Sequence, residues 1–342
     1  MSSAGQPRAA IVGAGLMGGW HAYFAVRAGV RIAAAVDSSP EKSRLLARRY
    51  RGARAFETLQ ECLQQAPLET VHVCTPTPTH HALAQEALQA GKHVLVEKPA
   101  CATADQTKHL VKLAEEKGVQ LVPTHQFPFQ RGFRRFQERI EELGTPVRTE
   151  FEICTAGASQ AEGQGRRAAL LEMLPHPLAV FAFMFGPAVL DAAWEVALFS
   201  DDELELQALH KGHRLRIAFS LRGRPLRNHL LYTASAGTGY VDFFHGFSLT
   251  GRDGSTRLDK VLRPLRLSRG LLAASGFNLL RLAWGRQWAY PGLGELTALF
   301  YAAVLGKGES PLSPQETLGI AGILDRVRRA EGKTASKRGC GG

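Results

Sequence analysis

The chain has no cysteine framework. Its five cysteines, Cys62, Cys74, Cys101, Cys154 and Cys340, are odd in number, and none stands in a CxxC pair. That leaves neither a disulfide scaffold nor a zinc-ligand spacing. Cys74 and Cys154 fall in apolar runs, where cysteine serves as a small core residue. The start, MSSAGQPRAA, lacks the basic and long apolar regions of a secretory leader, so a cytoplasmic location is expected. No apolar run of membrane-spanning length is read from the chain, and no integral membrane segment is expected. Acidic residues are the minority, 31 against 42 Lys+Arg, for a formal charge of +11. Such a balance suits nucleic acid, a membrane surface, or an anionic small substrate. Here the arginines are scattered, with no helix-turn-helix, zinc-finger or RNA-binding signature, so nucleic acid is not an expected partner. No internal repeat is evident.

What the chain does contain is ample core material and a regular alternation. At 342 residues and 45% hydrophobic content, two domains are expected. Residues 9–12 form an apolar run entering Gly13-Ala14-Gly15-Leu16-Met17-Gly18, after which a helical pattern opens. GxGxxG between strand and helix is a dinucleotide-binding loop. Gly13 makes the tight turn, Gly15 admits a pyrophosphate to the backbone, and Gly18 lets the helix pack on the strand, with Leu16 and Met17 between. A second strand, 31–36, ends at Asp37, whose carboxylate suits ribose hydroxyls and repels a 2′-phosphate. NAD is therefore favoured; Ser38, Ser39 and Arg44 leave NADP possible. The competing reading of Asp37 is a turn or helix-capping residue ahead of Pro40. A third strand, 68–75, runs into TPTPTHH, where Thr75, Pro76 and His80 are placed beside the glycine loop, His80 toward the nicotinamide half, with a structural role in the first helical turn as its competing reading. Then comes GKHVLVEKP, residues 91–99, a strand ending in Glu97, Lys98 and Pro99. A lysine at the carboxyl end of such a strand sits where open α/β sheets bind ligands. A helix over 103–117 and a strand over 119–123 complete a parallel, doubly wound sheet.

Together, GAGLMG, Asp37, TPTPTHH and GKHVLVEKP, with His176 further on, resemble the Gfo/Idh/MocA oxidoreductases, the group of glucose-fructose oxidoreductase and inositol dehydrogenase. The resemblance covers about residues 8–330 and is strongest up to residue 126. It implies a Rossmann NAD(P)-binding domain over 1–125 and an α+β domain over 126–332 with an open, mostly antiparallel sheet, which serves substrate binding and oligomer contact. Residues 333–342 are expected to form a disordered basic tail. In that family the EKP lysine contacts the reacting hydroxyl or carbonyl and the nicotinamide ribose, a role that falls to Lys98, with Glu97 and Gln126 beside the cofactor; the other role open to Glu97 is to fix Lys98 or the strand end.

In the second domain, strands are expected over 147–154, 190–198, 204–210, 214–221, 229–234 and 240–244, and helices over 129–143, 292–305 and 314–330. The resemblance maps a family D-x-x-x-H pattern onto Glu172 and His176, an i,i+4 pair able to share a helix face, in a segment that Pro175 and Pro177 interrupt. A further acidic position of the family is Ala179 here, and Gln126 and Pro128 replace an asparagine and an arginine, so the pocket differs. The loop 155–167 reads as a lid whose Arg166 and Arg167 fork onto an anionic substrate group; solvated loop arginines are the competing reading. The arginine-rich apolar segment 263–288 reads as packing helix, subunit contact or lipid-facing helix.

The expected activity is hydride transfer between nicotinamide and a carbinol or keto carbon of a sugar, inositol or nucleotide sugar. Lys98 is the proton donor or acceptor, His176 a second proton carrier, and Glu172 their orienter. A homo-oligomer is expected by resemblance. The alternatives are a non-catalytic NAD(P)-binding regulator and an NAD-using glycosidase.

Overall fold

A computed structural model describes residues 6–156, 164–252, 256–285 and 290–339. The chain divides into two compact units, one of residues 1–125 and 293–325, the other of 126–292 and 326–342. The return of 293–325 to the first unit departs from the contiguous 126–332 domain expected above.

In the first unit strand and helix alternate as β1 (Arg8–Val12), α1 (Leu16–Arg27), β2 (Arg31–Val36), α2 (Pro40–Ala47), β3 (Arg54–Phe56), α3 (Leu59–Gln65), β4 (Thr70–Val73), α4 (His80–Gln89), β5 (His93–Val96), α5 (Ala104–Lys117) and β6 (Leu121–Pro123). The strands order β3-β2-β1-β4-β5-β6, and every pairing is parallel. Burial on both faces explains the unbroken apolar runs, as in the fully buried Val94, Leu95 and Val96 of β5. Helix ends carry their own signals. Thr103 accepts the Gln106 N–H at the start of α5, and Gly118 closes it in the left-handed conformation. The order reverses direction between β1 and β4, the switch point at which such sheets open a ligand crevice.

The second unit holds α6 (Arg131–Gln137), β7 (Pro146–Cys154), α7 (Gln164–Met173), α8 (Pro175–Phe185), β8 (Glu195–Phe199), β9 (Glu203–His210), β10 (His213–Ser220), β11 (Arg227–Ala234), β12 (Gly237–Asp242), β13 (Phe247–Arg252) and α9 (Arg257–Gly285). Its sheet orders β13-β12-β11-β7-β10-β9-β8, and only the β7–β10 pair is parallel. Alternate residues of β9 and β10 are buried, so one face meets core. Aromatic rings fill that core: Phe181 stacks on Trp194, and Phe133 and Phe136 pack with Phe243 and Tyr232. Two expectations shift here. Residues 187–191 form a short 3-10 turn, started by Pro187, in place of the first part of a strand, and β13 is a strand the sequence reading missed. The helix expected over 129–143 is broken into α6 and a separate turn over 140–143.

Helix α10 (Leu293–Val304) packs against α1 within the first unit. Helix α11 (Pro314–Gly339) continues past the expected end at 330 into the stretch read as tail; residues 340–342 lie outside the described residues. In α9, Gly270 lies against Leu249 and Asn278 donates to the His245 carbonyl, so one face of this arginine-rich helix packs on the sheet. Residues 286–289 of that segment lie outside the described residues. Among the described residues, one helical stretch, Gly165–Phe185, is long and apolar enough to cross a membrane, a run that the sequence reading passed over. Its 18-residue apolar window is 61% buried, as in a core helix.

Candidate active site

The three glycines of the first loop do separate jobs. Gly13 has φ +94°, and a Cβ there would stand 2.7 Å from the Cys74 carbonyl oxygen. A side chain at Gly18 would overlap the Gly13 carbonyl and lie 3.2 Å from Ile11 Cγ2, so only glycine lets α1 sit this close to β1. At Gly15 a Cβ would meet nothing within 4 Å. Its open side is the approach to the N-terminus of α1, whose first N–H groups and dipole favour an anion. Asp37, at the end of β2, accepts the Ala14 N–H at 2.8 Å through one carboxylate oxygen and the Ser39 N–H at 2.9 Å through the other. It thus serves as the turn residue of the competing reading. Each oxygen keeps a further lone pair, so ribose recognition stays compatible with it.

The loops after β4 and β5 are stapled by His80. Its Nδ1 lies 2.9 Å from the Pro99 carbonyl oxygen and its Nε2 lies 2.7 Å from the Thr75 carbonyl oxygen, with the ring buried. His80 thus takes the structural role of the competing reading, its ring nitrogens standing between the Thr75-Pro76 turn and the Lys98-Pro99 turn. Thr79 supports the same turn, its hydroxyl donating to Thr75 Oγ1 at 2.7 Å.

Glu97 is buried, and its Oε2 accepts the Lys98 backbone N–H at 3.1 Å. Its Oε1 lies 3.0 Å from His21 Nε2. Burial pulls the Glu97 carboxyl upward, but the His21 contact and the charge of Lys98 outweigh it and hold Glu97 below the usual carboxylate range. Glu97 is thus an anchor of the lysine turn, the second of its two expected roles. His125, 2% exposed after β6, is pushed down to about 3 by burial and by the Lys98 charge, so it is neutral. Neither His21, on α1, nor His125 was singled out from sequence. His21 falls three residues past the GxGxxG loop, a position whose polar residue on a buried helix face was the available signal.

Within the second unit, His176 lies on α8 and is buried, stacked face to face on Phe127 with ring centroids 4.0 Å apart. Phe127 in turn stacks on Phe243. Leu174 separates α7 from α8, as Pro175 requires, and Glu172 is exposed while His176 is buried. Gln126 opens the short turn that carries Phe127. Arg166 and Arg167 are turned to the β8–β9 connection: Arg166 Nε stands 2.9 Å from Asp202 Oδ1, and Arg167 Nε donates to Asp201 Oδ1 at 2.6 Å. These aspartates take the charge that the sequence reading assigned to a substrate anion. Residues 157–163 of the expected lid lie outside the described residues. Among the described residues no cluster of His, Cys, Asp and Glu is arranged to hold a metal ion.

Residues 7–125 match the family described as "Oxidoreductase family, NAD-binding Rossmann fold", GFO_IDH_MocA. The scyllo-inositol 2-dehydrogenase (NADP(+)) of Bacillus subtilis is 27% identical over 124 residues, 36% of this chain and 38% of that protein. The UDP-N-acetylglucosamine 3-dehydrogenase of Acidithiobacillus ferrooxidans is 33% identical over 120 residues, 34% of this chain and 36% of that protein. The chain thus matches little more than a third of the length of these relatives. Among solved structures, the WlbA dehydrogenase of Bordetella pertussis, in complex with NADH and UDP-GlcNAcA, superposes with a TM-score of 0.76 at 18% identity over 96% of each chain. A levoglucosan dehydrogenase, in complex with NADH and levoglucosan, gives 0.74 at 16% identity, covering 96% of this chain and 98% of that one. At such identities the likeness is one of fold. With its glycine loop and its β3-β2-β1-β4-β5-β6 sheet, the segment 7–125 is similar to the Gfo/Idh/MocA oxidoreductases, of NAD-binding Rossmann fold.

Proposed function

We propose that the chain is an NAD(P)-dependent dehydrogenase that moves hydride between the nicotinamide and a carbinol or keto carbon of a sugar, inositol or nucleotide sugar. The observation that carries this reading is the division of labour among Gly13, Gly15 and Gly18, which leaves an open backbone approach at one glycine and none at the other two. That approach lies at the switch point of the sheet, and Lys98 ends the strand next to β4.

The residues fit the cofactor. The loop from Gly13 to Gly18, with Leu16 and Met17, would hold the pyrophosphate, Asp37 the adenosine ribose, and the Thr75-Pro76 turn and Lys98 the nicotinamide half. When bound, the nicotinamide supplies the hydride acceptor or donor. Lys98 takes the hydroxyl proton in oxidation and returns it in reduction. Glu97 and His80 hold the turn that carries Lys98. His176 and Glu172 keep the roles the resemblance gives them, a second proton carrier or substrate orienter and its orienter. The carboxylate of Asp37 favours NAD over NADP. We place the protein in the cytoplasm as a homo-oligomer, on the family resemblance.

The test follows nicotinamide absorbance while the protein meets sugars, inositols and nucleotide sugars with NAD and NADP in both redox states. Turnover that falls about 100-fold or more in Lys98→Ala, the range of a lost general acid–base, supports the reading. Cofactor binding without consumption by either protein overturns it in favour of a regulator. Glycoside cleavage without net cofactor consumption overturns it in favour of the glycosidase.

A further inference from the structure

Behind Glu97 runs a line of buried polar groups on which the dehydrogenase mechanism makes no demand. Glu97 Oε1 stands 3.0 Å from His21 Nε2, and His21 Nδ1 stands 3.1 Å from His72 Nδ1. His72 Nε2 stands 2.7 Å from Tyr301 Oη, which stands 3.0 Å from Thr70 Oγ1. His21, His72 and Thr70 are 0% exposed and Tyr301 is 2% exposed, so no water competes for these contacts. Burial also pushes the Tyr301 phenol up and His72 well down, which keeps both neutral.

With both imidazoles neutral and Glu97 ionised, one set of hydrogen positions follows. A carboxylate accepts only, so His21 donates from Nε2 and is left with a lone pair on Nδ1. His72 must therefore donate from Nδ1, and its Nε2 accepts the Tyr301 hydroxyl. Tyr301 is then left to accept from Thr70, whose hydroxyl also stands 3.4 Å from the Arg8 carbonyl oxygen. Every hydrogen bond points toward Glu97. The other carboxylate oxygen is thereby left aimed at the Lys98 N–H, at 3.1 Å.

We propose that Tyr301, His72 and His21 are positioning residues for Lys98, fixing the direction of the line so that Glu97 holds the lysine turn. Tyr301 comes from α10, so the return of residues 293–325 to the first unit supplies the group that sets the His72 tautomer. The link to catalysis rests on the dehydrogenase reading; the link to Glu97 and the Lys98 N–H does not.

The experiment uses the full-length, isotope-labelled protein. Imidazole nitrogen NMR should find the His21 proton on Nε2 and the His72 proton on Nδ1. Tyr301→Phe should abolish the single His72 tautomer and lower kcat about tenfold, with the cofactor Kd within about threefold, as expected when a charge-linked hydrogen bond loses its orientation. His21→Gln keeps a donor toward Glu97 and an acceptor toward His72, whereas His21→Leu keeps neither. The Lys98 amide should exchange about tenfold faster in His21→Leu and near the wild-type rate in His21→Gln. A His21 proton on Nδ1, equal amide exchange in the two His21 variants, or Tyr301→Phe turnover at the wild-type level would each overturn the proposal. The tautomer and amide measurements need no substrate. A wild-type protein that consumes no nicotinamide would sink the dehydrogenase reading while those two still decide the line. Should Tyr301→Phe fail to fold, the His21 pair carries the test.

Discussion

Alanine at Gly15 and alanine at Gly18 should fail in different ways. At Gly18 the added methyl must share space with the Gly13 carbonyl and approach Ile11 Cγ2, so α1 has to lift from β1. Overpacking of this kind costs about 1–3 kcal/mol. For a cooperative unit of this size, that lowers the melting temperature by about 2–10 °C. At Gly15 the methyl enters open space, and the backbone, at φ −79° and ψ −160°, is extended and open to alanine. Restricting the unfolded chain there stabilises by about 0.4–1 kcal/mol. The melting temperature of Gly15→Ala should therefore hold or rise slightly. Its cofactor affinity should fall at least about tenfold, or about 1.4 kcal/mol, because the methyl stands where the pyrophosphate must approach. Differential scanning calorimetry and cofactor titration by fluorescence read the two effects separately. If Gly15→Ala melted early, or kept full affinity while Gly18→Ala stayed stable, the assignment of tasks to the three glycines would be wrong.

Exchange of Asp37 for Asn should keep the turn and drop the charge, raising the NADP-to-NAD affinity ratio about tenfold, from one lost repulsion; an unchanged ratio would place the ribose elsewhere. His125 gives a pH prediction. Its folded value of about 3 lies below the roughly 6.5 of an unfolded histidine, so below that pH the unfolded chain takes up a proton that the folded chain refuses. Stability should be full above about pH 6.5 and fall toward pH 3 by up to about 1.4 kcal/mol per unit from this group, with His72 acting in the same direction. His125→Gln should flatten the pH dependence of the unfolding free energy between about pH 4 and 6; an equal slope in both proteins would remove His125 from the account. His80→Ala should lower kcat more than cofactor affinity, since it frees the Lys98 turn while leaving the glycine loop in place; the reverse pattern in steady-state and binding measurements would show that the histidine touches the cofactor after all.

The first unit was readable because its signals are local. A glycine loop, a carboxylate after the next strand and a lysine after another each declare themselves within a few residues, and parallel strands buried on both faces announce themselves as apolar runs. What escaped was set by distance along the chain. His21, His72 and Tyr301 meet across 229 residues, from His72 to Tyr301, and no spacing rule connects an α1 histidine to a tyrosine of α10. The same limit explains Arg166 and Arg167, whose aspartate partners lie more than thirty residues on. The late start of the strand expected over 190–198 has a nearer cause: Leu190 resembles a strand residue, and Pro187 starts a helical turn that buries it.

The polar line in the first unit also argues against a purely structural reading of its residues. Burying two imidazoles and a phenol costs desolvation that apolar side chains of similar size would avoid, and fully paired polar groups recover roughly that cost with little surplus. Packing alone would be served as well by leucine and phenylalanine in β4 and α10. What apolar residues cannot do is leave a buried carboxylate with one orientation and a constant charge. Among the described residues, that carboxylate is Glu97, whose second oxygen holds the amide of Lys98. Substituting the three positions together, His21→Leu, His72→Phe and Tyr301→Phe, should therefore leave Glu97 as a buried charge without its His21 partner. That should destabilise the first unit by about 1–3 kcal/mol or more, the cost of leaving a buried charged acceptor without its donor. Adding Glu97→Gln should recover most of that stability and none of the turnover. Chemical denaturation of the triple and quadruple variants, measured with activity, separates the two readings: recovery of both would make the line ordinary core.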